Sequence, residues 1–434
     1  MTPATSRPGS DLQRRLPNEL LEMVFMNFLG DPTMNWHSWF RWKDVKRFVN
    51  SLQGSLPADF LLVCRQWTQV ILHNRRLWTT VLVDSWTIRE QGPQAMLAKI
   101  KAHLQRSGNE PLDVVYAAIH DPSLPPLERE TFGPGQLMVQ KLQGLKVASK
   151  SSRLQQIGDL LSVLAGEDGQ EMKRWRSCIL AWSAESRWAE CWWMSNFLTY
   201  PTPLLESLCF WNFTSGQQPI FPNALVLKRL VTTGYHVQVG AEVPLPCIES
   251  ADISEGSSDG NHDRYDLSAV NLLRRVSGIR FLNILMVNGW RLSLIEGEEP
   301  LHFPNLVNLK LEGDVSILLC KLRAPRLSSF TLHIDSGAGH EELLGRLAQT
   351  DLPELSRLDL DLIKTDDPQW TLDEVELSLI GMLSTKGTLR TVIGTADLEE
   401  VVKRWKKKTA SFLPRLVSLR VRDPLGSEVG DDWE

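Results

Sequence analysis

Gly256-Ser257-Ser258-Asp259-Gly260 carries the residue types of a hydrolase, a serine between two glycines in G-x-S-x-G spacing. That chemistry needs a strand before the serine and a helix after it, so that a tight turn presents the hydroxyl. The flanks here are Glu255 and Asn261-His262-Asp263-Arg264, polar on both sides. A solvated loop is the favoured reading, and a hydrolase using Ser258 is a rival one. Asp259, Asn261 and Asp263 resemble the opening of a calcium loop, but Arg264 and Val270 stand where that loop requires glycine and glutamate. The nine histidines show no H-E-x-x-H or other ligand spacing. No phosphate-cradling glycine loop and no kinase signature occurs. The expectation is a chain without catalytic residues, metal or cofactor.

The remaining reactive groups point the same way. The six cysteines (64, 178, 191, 209, 247, 320) form no CxxC pair and mostly sit in apolar segments, as reduced buried thiols do. Asn212-Phe213-Thr214 matches a glycosylation acceptor, which has no meaning without a secretory signal. Residues 1–15 are polar, so no such signal is expected, and no apolar run approaches the ~20 residues of a membrane span. Lys403-Arg404-Trp405-Lys406-Lys407-Lys408 reads as the solvated end of a helix starting near Asp397, with a nuclear-localisation signal as the rival reading. A cytoplasmic or nuclear protein without membrane contact is expected.

Positioning elements follow from composition and periodicity. At 434 residues the chain is too long for one ordinary core and needs several domains or a repeat array. Its formal charge of −5 argues against a nucleic-acid binder. Sixteen tryptophans fall in clusters, such as Trp36/Trp39/Trp42 and Trp188/Trp192/Trp193, and anchor packing or an interface. Residues 1–12 read as a disordered tail. A helix opens at Pro17, with Leu20, Leu21, Val24, Phe25 and Phe28 on one apolar stripe, and stops at Gly30-Asp31-Pro32. An insertion at about 30–58 carries an amphipathic helix through Trp42, Val45, Val49 and Leu52. A further helical run spans Asp59 to Leu72. Strands are predicted at 80–83, 111–116 and 175–180, helices at 93–107 and 152–165, and a loop at about 120–150.

From residue 203 the template Pro-x-Leu-x-x-Leu-x-Leu recurs, starting at Pro203, Pro304, Pro325, Pro353 and Pro414. Weaker copies lie at Leu227/Leu230, Ile248/Ala251/Ile253, Val276/Ile279/Phe281 and Leu389/Val392. Alternating leucines on a short strand face a core that one repeat cannot close alone, so the strands must stack in parallel. The residues between the leucines face the other way. They include Cys209, Trp211, Asn308, Lys310, Glu312, Thr331, His333, Asp359, Asp361, Arg420 and Arg422, a mixed-charge row suited to a protein partner.

Leu16-Pro17-Asn18-Glu19-Leu20, then Val63-Cys64-Arg65-Gln66-Trp67, then Arg76-Leu77-Trp78 together resemble an F-box. The pattern is similar to F-box proteins of mushroom-forming (basidiomycete) fungi, and it departs from the family in its insertion. The resemblance implies an α/β chain with a small helical F-box over residues 13–80. A degenerate leucine-rich-repeat solenoid would follow over 81–434, with its parallel sheet on the concave face. It also implies a substrate-recognition subunit of a Skp/cullin/F-box ubiquitin ligase, itself no enzyme. Leu16, Pro17, Leu20, Val24, Leu62, Cys64 and Trp67 would then form or support the contact with the Skp-family adaptor, and through it a cullin. Trp211, Lys310, Glu312, His333, Asp359, Asp361, Arg420 and Arg422 would face a protein substrate. The alternative is a non-ligase interaction scaffold with a degenerate F-box.

Overall fold

The computed structural model describes residues 17–29, 61–118, 152–182, 195–211, 220–233, 239, 245–254, 272–285, 300–313, 316–334, 340–362, 372–394, 396–409, 411–422 and 428–432. Leu16, the insertion, the 120–150 loop and the Ser258 stretch lie outside them. The chain divides into two compact units, Met1–Ile119 and His120–Glu434.

In the first unit, helix α1 (Asn18–Leu29) packs on α2 (Arg65–His73), and a 3-10 turn (Arg75–Trp78) leads into strand β1 (Thr80–Asp84). Helices α3 (Ser85–Gln91) and α4 (Pro93–Ser107) then precede β2 (Leu112–Ala118), which pairs in parallel with β1. The helical run expected from Asp59 begins as helix only at Arg65, because Cys64 is fully extended (φ −162°, ψ 165°) and breaks it. Pro93 occupies the first turn of α4, where its missing N–H costs nothing.

Trp78 ties this unit together. Its indole Nε1–H donates to the Ile71 carbonyl at 2.7 Å, fixing the 3-10 turn to α2. The His103 ring meets it edge-on, with centroids 5.1 Å apart, and the Arg106 guanidinium lies over its face at 4.2 Å. Both residues come from α4. Burial, reinforced by the nearby Lys99, lowers the His103 pKa from 6.5 to about 4.

In the second unit, α5 (Ser152–Ala165) precedes a sheet of short strands: β3 (Trp175–Trp182), β4 (Ser207–Trp211), β5 (Arg229–Thr233), β6 (Ser250–Ser254) and β7 (Phe281–Leu285). A small parallel pair, β8 (Leu301–His302) with β10 (Leu322–Arg323), lies outside that sheet. The sheet continues through β9 (Asn308–Glu312), β11 (Ser329–Ile334), β12 (Arg357–Leu362), β13 (Thr391–Gly394) and β14 (Ser418–Arg422). From β3 to β14 its pairings are parallel, and β15 (Glu428–Asp432) closes it antiparallel to β14. Helices α6 (Ser316–Lys321), α7 (His340–Gln349), α8 (Leu372–Thr385) and α9 (Ala396–Lys408) occupy the later connections, and α7 packs on both α6 and α8. The unit is α/β with a large parallel sheet.

The template residues do two jobs. Leu208, Leu230, Ala251, Leu282, Leu309, Phe330, Leu358, Val392 and Leu419 stand in lateral register, all buried, so one leucine position forms a continuous core row. Ahead of each strand a β-turn closes, as in Leu306 N–H to Phe303 O (3.3 Å), Leu327 to Ala324 (3.1 Å) and Leu355 to Leu352 (3.3 Å). The prolines hold the second turn position, where their fixed φ suits the geometry.

The copy expected at Val276/Ile279/Phe281 is displaced by three residues. Ile279 donates its N–H to Val276, so Val276 opens the turn, while Ile279, Leu282 and Ile284 are buried and Phe281 is 41% exposed. No proline marks that turn in the sequence. At the equivalent turn position before β13, Lys386 replaces an apolar residue. Its Nζ donates to the Thr350 carbonyl at 2.5 Å and the Ala348 carbonyl at 3.5 Å, closing the C-terminal end of α7. Burial lowers its pKa, against the opposing pull of Asp351.

The His103 environment predicts an acid-labile first unit. The folded chain protonates this ring only near pH 4, whereas the unfolded chain does so near 6.5, so its contribution is intact above 6.5 and lost as pH falls towards 4. The first unit should be about 2 kcal/mol less stable at pH 5 than at pH 7.5 from this group alone. Unfolding curves of wild type and His103→Asn at both pH values check this, the variant showing the smaller loss.

Candidate docking surfaces

The apolar stripe of α1 divides in two. Leu21 and Phe25 enter a core with Val70, Ile71, Leu77 and Trp78, and Trp67 joins it half-buried, edge-on to Phe25 at 5.0 Å. Leu20, Met23 and Val24 remain outside at 41%, 55% and 51% exposure. Pro17 at the head of α1 is exposed as well. On the segment leading into α2, Leu62 is 93% exposed and Val63 55%, and Cys64 is exposed too. Gln66 Nε2 donates to Asn18 Oδ1 at 3.2 Å, and the Thr68 hydroxyl donates to the Leu61 carbonyl at 2.6 Å, so both segments are held in place.

Of the residues expected to form this contact, Pro17, Leu20, Val24, Leu62 and Cys64 are exposed, while Trp67 supports them from the core. Met23 and Val63 are additions. Met23 follows Leu20 by three residues, the helical spacing that reveals a shared face. Several exposed aliphatic side chains on one small module make it a candidate interaction surface.

On the sheet, Lys310, Thr331 and Asp359 are lateral neighbours, as are Glu312, His333 and Asp361. Lys310 Nζ lies 3.5 Å from Glu312 Oε2, with both side chains partly exposed, and His333 is half-buried. Arg420 sits on the same row beyond Ile393, its Nε donating to Ser418 Oγ at 3.2 Å. Arg422 pairs in register with Glu428. Two residues depart from the expected open row. Asp359 is buried, and Trp211, four strand positions from β9, is buried with no hydrogen-bond partner for its indole nitrogen among the described residues. Strands β4 and β6 bury most or all of their positions on both faces, whereas β7 and β9 alternate as expected.

The thiol of Cys209 is pushed up to about 12 by burial and by Asp252, which removes it as a nucleophile at neutral pH. In the basic run, Lys403 pairs with Glu399 and Arg404 with Glu400 one turn earlier, and Lys408 lies over Trp405 at 5.2 Å. Among the described residues no group of His, Cys, Asp and Glu is arranged to hold a metal ion, and no helix is long and apolar enough to cross a membrane.

No family model matches the chain, and no curated protein matches it. Among solved structures, a Bacteroides fragilis protein determined by a structural genomics consortium aligns at 12% identity over 66% of this chain and 74% of its own. The TM-score of that alignment is 0.29.

The division of α1 is measurable. Phe25→Ala should cost about 3–5 kcal/mol of stability, and Val24→Ser within about 0.5 kcal/mol of zero. Denaturant unfolding of the two variants beside wild type checks the contrast.

Proposed function

We propose that this chain is an F-box protein, the substrate-recognition subunit of a Skp/cullin/F-box ubiquitin ligase. The observation that carries the reading is the set Pro17, Leu20, Val24 and Leu62, exposed on a module whose inner face is closed by Leu21, Phe25, Trp67 and Trp78. A helix-on-helix contact with the Skp-family adaptor would cover that set and bring the chain to a cullin. The repeating turn-and-strand unit supports a degenerate leucine-rich-repeat array later in the chain. Lys310, Glu312 and His333 on its sheet offer a protein substrate charges of both signs.

In this reading the chain performs no chemistry itself. It holds a substrate lysine near a conjugating enzyme and raises its effective concentration there. The working place is the cytoplasm or nucleus. Mixed with a purified Skp-family adaptor, wild type should co-elute with it. The Leu20→Asp/Val24→Asp double variant should lose at least about a hundredfold in affinity, since charges would replace two buried aliphatic contacts. Retention of the adaptor by that variant, or none by wild type, contradicts the proposal.

A further inference from the structure

The turns ahead of β4, β5 and β6 present apolar tips. Their second and third residues are Pro203-Leu204, Leu225-Val226 and Pro246-Cys247, all exposed. The turn before β7 carries the small pair Ser277-Gly278, and later tips are polar, with Asn305, Arg326 and Glu354 in third position. Three consecutive apolar tips make a ridge, which distinguishes them from scattered surface leucines.

A row of charge runs beside the ridge. Glu206, Lys228, Glu249 and Arg280 each stand just before a strand. They are lateral neighbours, because the Lys228 N–H donates to the Glu206 carbonyl, Glu249 to Lys228 and Arg280 to Glu249, each at 2.8 Å. All four reach the surface, and Glu206 and Lys228 form a 3.2 Å ion pair. At about 4.8 Å per strand the row is about 14 Å long. Its signs alternate, negative, positive, negative, positive; exposed Arg176, whose carbonyl accepts the Glu206 N–H at 2.7 Å, precedes these four, and Val307 follows them.

The four charges from Glu206 to Arg280 are their own complement when turned end for end. We propose that this edge joins two copies of the chain in a dimer, with a two-fold axis passing between the Lys228 and Glu249 positions. An isologous interface sets each position against its mirror position. Glu206 then faces the partner's Arg280 and Lys228 faces the partner's Glu249, and each pairing occurs twice. The ridge follows the same symmetry. Leu225-Val226 meets the partner's Pro246-Cys247, and Leu204 meets the partner's Ser277-Gly278, a large side chain over a small pair. Arg229, first in β5, falls opposite the partner's Ser250, and Arg176 falls opposite the partner's Val307, so no like charges meet. Nucleic acid does not fit, since every second charge along the row is negative and would face phosphate.

The symmetry gives a test that a generic sticky edge would fail. Sedimentation of the full chain at micromolar concentration should show a dimer that weakens as salt rises. Glu249→Lys and Lys228→Glu should each weaken it roughly tenfold or more, since either change sets like charges together twice. Mixing the two variants should restore it, because the lysine introduced at position 249 of one copy then meets the glutamate introduced at position 228 of the other. The far-ultraviolet circular dichroism of both variants should match wild type, which separates loss of the dimer from loss of the fold. A monomeric wild type, a dimer indifferent to either reversal, or a mixture no stronger than the separate variants overturns the proposal.

Discussion

In the sheet, one carbonyl per repeat accepts two N–H groups from the next. Glu206 O takes Lys228 and Arg229, Arg280 O takes Val307 and Asn308, and Ser356 O takes Arg390 and Thr391. Together with the turn hydrogen bond just before it, this shared acceptor fixes where each strand begins. Register then follows, and a one-residue slip would send every leucine to the wrong face. The buried leucine row, the Lys310–Glu312 pair and the alternating charges at the turn edge all inherit their alignment from it. Because these are backbone bonds, they tolerate an Ala251 or a Gly394 in a core position and turns that lack proline.

The helical module rests on a different constraint. Trp78 is bonded to α2 through its indole nitrogen and packed by two α4 residues, so the 3-10 turn, α2 and α4 share one anchor. Leu21 and Phe25 close this core from α1. With the inner face satisfied, the other half of the α1 stripe has nothing within the described module to cover it. The exposed set is thus a by-product of how few apolar positions the core accepts.

Much of this architecture was legible in the sequence. The proline-led template marks real turns at Pro203, Pro304, Pro325, Pro353 and Pro414, because proline at the second turn position has a physical cause. Helices over 93–107 and 152–165 appear with those bounds. The Val276 frame was not legible, because the hydrogen bond that sets it leaves no mark on residue type. Nor was the burial of Trp211 and Asp359, since alternation tells which face a side chain takes and not how crowded that face is. The α1 stripe reads as a single apolar band, and only packing divides it. The charge row at the turn edge is spread over 75 residues of irregular spacing, between Glu206 and Arg280, and becomes a row only once register is known.

The central claim is that the exposed residues of α1 and of the segment before α2 are a docking face for a Skp-family adaptor. Hydrogen exchange of the full chain, alone and with the purified adaptor, tests it most directly. The account predicts slowed exchange confined to residues 17–25 and 61–67, with the sheet unchanged. Unchanged exchange there, or protection only elsewhere in the chain, would contradict it.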